Sequence, residues 1–92
     1  MLKVSFTTQF KREFKLCVKR GLDPQKLNDV IAKIRNGEVL PEKNRDHPLI
    51  NSKNFIDARE CHIESDWLLI YRIHKNILVL ELLRTGTHSD LY

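Results

Sequence analysis

Glycine and proline are scarce in this sequence, three of each in 92 residues. Disordered and linker-rich chains carry far more of both, so an ordered domain is expected. Cysteine is limited to Cys17 and Cys61, and neither stands in a CxxC pair. That spacing excludes a disulfide-stapled scaffold, and both are expected as small buried thiols. Long apolar runs are also missing. Trp67–Tyr71 stops at Arg72 and Ile77–Leu80 stops at Glu81, whereas a membrane helix needs about 20 apolar residues. The first residues hold no apolar stretch of signal-peptide length. The expectation is a cytoplasmic protein with no membrane partner. A chain of this length buries only about 60–65% of its unfolded surface, so residues 1–92 are expected to form a single domain with one modest core.

What is present is charge, unevenly placed. Of 16 Lys and Arg residues, six lie in the first 20 positions, against one acid, Glu13. The remainder is nearly balanced, so the net charge of +4 belongs to the N-terminal end. Such asymmetry fits a polyanionic partner such as nucleic acid; a merely solvated helix face fits it equally well.

Hydrophobic spacing predicts the order β-α-α-β-β-β. Leu2, Val4 and Phe6 alternate over Met1–Thr7, as in a strand. Thr7 or Thr8 then suits a helix N-cap. Phe10, Phe14, Cys17 and Val18 mark one face of a first helix ending at Gly21. Lys11, Arg12, Lys15 and Lys19 lie off that stripe. Asp23-Pro24 starts a second helix, with Leu27, Val30, Ile31 and Ile34 as its apolar face. Residues 38–54 read as a structured loop anchored by Leu40, Leu49 and Ile50. Strands follow at Phe55–Ile63, Trp67–Ile73 and Ile77–Thr85, with a turn at His74-Lys75-Asn76 and a helical turn after Thr87. The fold class is α+β, two N-terminal helices packed on one face of a small antiparallel sheet.

The uncovered face is where chemistry is expected. Glu60 and His62 alternate onto one side of a strand. Asp66 opens the next strand, His47 precedes the first of the three, and His88 follows the last. His74, at the far hairpin, is expected as a solvent-exposed turn residue. Each alone reads as an ordinary surface group. Together, three imidazoles and a carboxylate suit general acid–base catalysis near neutral pH. RNA suits such a site, because its 2′-hydroxyl is a nucleophile already placed beside the phosphorus. Arg59 and Arg84 could neutralise phosphate charge, and Tyr92 could stack on a base. Arg59 could equally pair with Asp57 or Glu60, and Tyr92 could simply anchor the C-terminus with Leu91. Metal binding ranks lower. HxxxH, HExxH and CxxC are absent, and the adjacent Cys61 and His62 point to opposite faces. No metal and no cofactor are expected.

Three blocks carry a family resemblance. Asp46-His47-Pro48-Leu49, then Cys61-His62 with Asp66-Trp67, then Arg84-Thr85-Gly86-Thr87-His88 through Leu91-Tyr92 resemble the YafQ-like toxins of the RelE/ParE superfamily, from type II toxin–antitoxin modules. The resemblance implies a ribosome-dependent mRNA endoribonuclease cleaving in the A site without metal, through 2′-hydroxyl attack. It implies His47, His62, Asp66 and His88 as the catalytic set. Tyr92 takes the place of a C-terminal aromatic beside the mRNA, and Glu60 stands where the family carries Asp. Arg59, Arg84, Glu60 and Tyr92 are the expected RNA contacts. Lys11, Arg12, Lys15 and Lys19 are the expected ribosome contacts. His88 is the expected proton donor, and either His47 or a His62–Asp66 pair the base. The implied partners are a DinJ/RelB-like antitoxin, the ribosome and mRNA. Two other readings remain open: a ParE-like toxin that binds a DNA topoisomerase, and a non-catalytic RNA-binding module.

Overall fold

A computed structural model describes residues 1–50, 53 and 55–92. Its elements are β1 (Lys3–Phe6), α1 (Thr8–Lys19), α2 (Pro24–Arg35), a 3-10 turn (Glu42–Asn44), β2 (His47–Pro48), β3 (Arg59–Glu64), β4 (Trp67–His74), β5 (Val79–Gly86) and α3 (His88–Leu91). The architecture is α+β. No helix among the described residues is long and apolar enough to cross a membrane.

The helix starts follow the capping chemistry. Thr7 accepts from the Phe10 amide at 2.9 Å, and Asp23 from the Gln25 amide at 2.9 Å with Pro24 behind it. Gly21, at φ +94°, lets α1 stop and the Leu22 amide close back on the Cys17 carbonyl. Phe10, Cys17, Leu27, Val30 and Ile34 pack against Cys61, Trp67, Leu69, Tyr71, Leu80 and Leu82 of the sheet. Val18 falls outside this core and is exposed, because it sits at the rim of the stripe near the helix end.

The sheet order is β1-β5-β4-β3-β2. β3, β4 and β5 are antiparallel, as their short connections require. β1 instead runs parallel to β5, Lys3 opposite Val79 and Phe6 opposite Leu82. The sheet is therefore mixed and not antiparallel throughout. The αα-hairpin carries the chain over one face, so β1 and its eventual neighbour point the same way.

Boundaries also move. Phe55–Ala58 precedes the strand, which begins at Arg59. The last hairpin turn widens to residues 75–78, and Leu78 adopts φ +53°. The segment expected as loop contains β2, which adds a fifth strand: His47 pairs with Glu60 and Pro48 with Arg59. Leu40 is buried and Leu49 joins a second apolar cluster, but Ile50 is 79% exposed and anchors nothing. That second cluster, Ala58, Ile70 and Leu83 flanked by Leu49, Phe55 and Leu91, covers part of the face away from α1 and α2.

Candidate active site

β3 holds the centre of the site. Glu60 and His62 project from the same side, about 7 Å apart along the strand, and away from Cys61, which is buried in the helix-side core. Burial pushes the Cys61 thiol up to about 12 and raises that of Cys17. Both are free and buried, which leaves them inert as nucleophiles at neutral pH.

His47 reaches Glu60 through the pairing of β2 with β3. Its Nε2 lies 3.4 Å from Glu60 Oε1, and its Nδ1 lies 3.2 Å from the Pro48 carbonyl oxygen. The 3-10 turn before it is fixed by Asn44, a buried side chain donating to the His62 carbonyl oxygen at 2.7 Å. Asp46 completes the mooring. It accepts from Tyr71 Oη at 2.6 Å and from Arg59 Nε at 3.2 Å. Burial, and then that bond, push the Tyr71 phenol well above its usual range. Sequence reasoning missed Asp46. Its only signal was its place directly before His47 in the first block.

Tyr92 comes to the same carboxylate from the other end of the chain. Its hydroxyl donates to Glu60 Oε2. Local desolvation of that hydroxyl and its bond to Glu60 push the phenol up to about 12, although the ring stays largely exposed. Glu60, almost wholly buried, thus joins His47 and Tyr92.

His62 and His88 form the second half. Their ring centroids lie 5.6 Å apart. Asp66 accepts twice from His88, from its backbone N–H at 3.0 Å and at 2.6 Å from ring Nδ1. These bonds lower the Asp66 carboxyl below its ordinary value, so Asp66 is an anion that keys the His88 ring and leaves Nε2 outward. The carboxylate expected beside His62 therefore serves His88, because α3 brings the backbone of His88 onto it as well.

The placement of α3 depends on a close approach. A Cβ on Gly86 would lie 2.9 Å from Asp90 Cβ. Thr87 and Asp90 form a reciprocal capping box, and Arg20 Nη1 binds Asp90 Oδ2 at 2.7 Å. The Arg20 guanidinium and the Thr87 amide hold the Asp90 carboxyl down at about 2. A depressed carboxyl contributes its stabilisation above the unfolded value near 3.8 and loses it as pH falls toward 2. Amide protection of Leu91 and Tyr92, read by hydrogen exchange, is expected to fade between pH 4 and 2. In Arg20→Ala much of that protection should already be gone at neutral pH.

Arg84 and Arg59 lie at the margins, each already paired. Arg84 is clamped by Glu13, Nη2 to Oε2 at 2.5 Å and Nε to Oε2 at 3.1 Å. Arg59 pairs with Asp46, not with Asp57 or Glu60. Glu13 has a further task. β1 pairs only as far as Leu82, so among the described residues the edge of β5 beyond it has no strand neighbour on that side. Thr7 Oγ1 donates to the Leu83 carbonyl oxygen at 2.8 Å, and the Thr85 N–H donates to Glu13 Oε1 at 3.3 Å. α1 thus closes the open edge with side chains. The signal for Glu13 was its isolation as the one acid among six bases.

Lys11, Arg12, Lys15 and Lys19 are exposed on α1 and form no ion pair among the described residues. Lys11 Nζ sits 5.0 Å from the Phe6 ring centroid. His74 lies at the far end of β4 and is not a free turn residue: its Nε2 is 2.9 Å from Glu81 Oε1. Among the described residues no three His, Cys, Asp or Glu side chains gather closely enough to hold a metal ion.

A family model described as the bacterial toxin of the type II toxin–antitoxin system, YafQ, matches residues 2–92. The mRNA interferase toxin YafQ of Escherichia coli (strain B / BL21-DE3) is 38% identical over 90 residues, spanning 97% of this chain and 94% of that protein. A metal-bound toxin from Helicobacter pylori superposes with a TM-score of 0.92 at 37% identity, covering 100% of both chains. A chain of the E. coli DinJ–YafQ complex superposes with a TM-score of 0.87 at 35% identity, covering 100% of this chain and 99% of that one. The metal named for the H. pylori toxin is a property of that protein.

Proposed function

This chain belongs to the YafQ family of type II toxin–antitoxin toxins, and from that premise we propose that it cleaves mRNA on the ribosome by metal-independent acid–base chemistry. Like the mRNA interferases it matches, it is an endoribonuclease. The observation that carries the mechanism is the Asp66–His88 pair with His62 beside it.

The 2′-hydroxyl oxygen attacks phosphorus, a base takes its proton, and the P–O5′ bond breaks as an acid protonates the departing oxygen. His88 is the proton donor, its ring held by Asp66 with Nε2 turned outward. An ionised carboxylate on Nδ1 orients an imidazole and stabilises the positive ring that acts as acid. His62 and His47 are the candidate bases. Glu60 positions His47. Tyr92 borders the site and offers its ring to a base, because its hydroxyl is held on Glu60. The unpaired cations of α1 face ribosomal RNA, and a DinJ-like antitoxin, with acidic groups complementing that charge, silences the toxin. Ribosomes place this activity in the cytoplasm.

The test is cleavage of a translated message by chelator-washed protein on purified ribosomes, with Mg²⁺ supplied for the ribosomes alone. Site-specific cuts that need translation support the proposal. Activity that returns only when stoichiometric zinc, copper or manganese is restored to the protein overturns the metal-independent step. Ribosome binding without cuts would favour the non-catalytic module.

A further inference from the structure

We propose that Gln9, in the groove between the start of α1 and the C-terminal turn, reads the edge of the RNA base that Tyr92 receives. The proposal rests on the ribonuclease reading above and adds a specificity site to it. The groove has a volume of about 700 Å³ and is walled by Leu49, Phe55, Leu91 and Tyr92, with Gln9 and Arg84 at its polar side. That volume lies within the roughly 300–1,000 Å³ of small-ligand sites.

The walls suit a flat, mostly apolar ring with a polar edge. Leu49, Phe55 and Leu91 are the half-buried flank of the second apolar cluster. Arg84 adds a guanidinium whose charge is already matched. Glu13 takes two of its donors, and Nη2 also lies 3.4 Å from the Asp90 carbonyl oxygen. A matched, immobilised guanidinium is a poor phosphate receptor but a good stacking plane, and unpaired RNA bases stack on such planes and on aromatic rings. Tyr92 supplies the ring. It is 72% exposed although its hydroxyl is fixed on Glu60. Glu60 also holds His47, so one residue separates the groove from the candidate catalytic side chains.

Gln9 gives the groove its means of discrimination. It is exposed at the N-terminal turn of α1, and its carboxamide has no hydrogen-bond partner among the described residues. A carboxamide offers one acceptor and two donors in a plane, the geometry that pairs with base edges. The rigid element behind it, capped by Thr7 and tied to Leu83, fixes where that amide can reach.

The experiment maps cut sites of wild type, Gln9→Ala and Gln9→Glu on one translated message with purified ribosomes. Melting temperatures check that each variant is folded. Wild type should show a base preference at one position next to the cut. Gln9→Ala should weaken that preference at least about fivefold, while total cleavage falls less than about tenfold. Gln9→Glu keeps the length but loses both donors, so it should move the preference toward bases whose edge carries an amine. An identical cut-site distribution in all three proteins, or a uniform fall at every site, overturns the assignment. Normal cut sites with lost inhibition by an antitoxin also overturn it, and assign the groove to a protein partner. Failure of wild type to cut at all is the distinct result that sinks the ribonuclease reading itself.

Discussion

Substituting His88 with Ala is expected to lower translation-coupled cleavage by at least about a hundredfold and to leave the fold intact. A positioned general acid supplies about 10²–10⁴ in rate, and an unprotonated 5′-oxygen is a poor leaving group. The stability cost should stay small. The His88 side chain is 53% exposed; its ring pairs with an exposed carboxylate and lies 5.6 Å from the His62 ring. Removing it should cost within roughly 1 kcal/mol, which is about 4–8 °C in melting temperature for a domain this small. Asp66→Asn should fall in the same direction by a smaller factor, because it loosens the ring without deleting it. His74→Ala is the control. It loses a partner of Glu81 at the opposite end of β4 and should cleave close to the wild-type rate. Equal damage from His74→Ala and His88→Ala, or an unfolded His88→Ala protein, would remove His88 from the catalytic set.

The other large effect is expected in ribosome affinity. Replacing Lys11, Arg12 and Lys15 together with Ala should weaken binding on the order of a hundredfold near 0.15 M salt. Each phosphate contact releases roughly one counterion, and its loss is roughly a fivefold change at that ionic strength. The slope of log affinity against log salt should flatten by two to three. The same change made at Arg20 or Arg84 should flatten it less, because Asp90 and Glu13 already neutralise those cations. Sedimentation of ribosomes with labelled protein across a salt series measures both. An unchanged slope in the triple variant would show that α1 does not face RNA.

The sequence determined the helices, their caps and their buried stripes, since spacing at 3.6 residues and the residues Thr7, Asp23, Pro24 and Gly21 act through neighbours in the chain. It also singled out the side chains proposed for the chemistry, since only four histidines occur and three of them fall at strand ends. Tertiary structure decided how they are partnered. Spacing along a strand could not tell that Asp66 would bind His88, because that depends on α3 folding back over Gly86. Nor could it tell that β1 lies parallel to β5, since strand direction follows from the path of the helices between them. The sharpest case is β5. Strict alternation from Leu80 and Leu82 would turn Arg84 toward the helices. A bulge leaves Leu83 without a partner opposite it, between the pairs Tyr71–Leu82 and Ile70–Arg84. One extra residue reverses every side chain beyond it. Thr85 therefore turns inward, where it accepts from Trp67 Nε1 at 2.9 Å and donates to the Leu68 carbonyl oxygen at 2.7 Å. Arg84 turns outward to Glu13 and the groove. A bulge has no local signature in Leu82-Leu83-Arg84, because the bonds that favour it are made by Trp67 and Glu13, distant in the chain and adjacent only once it has folded.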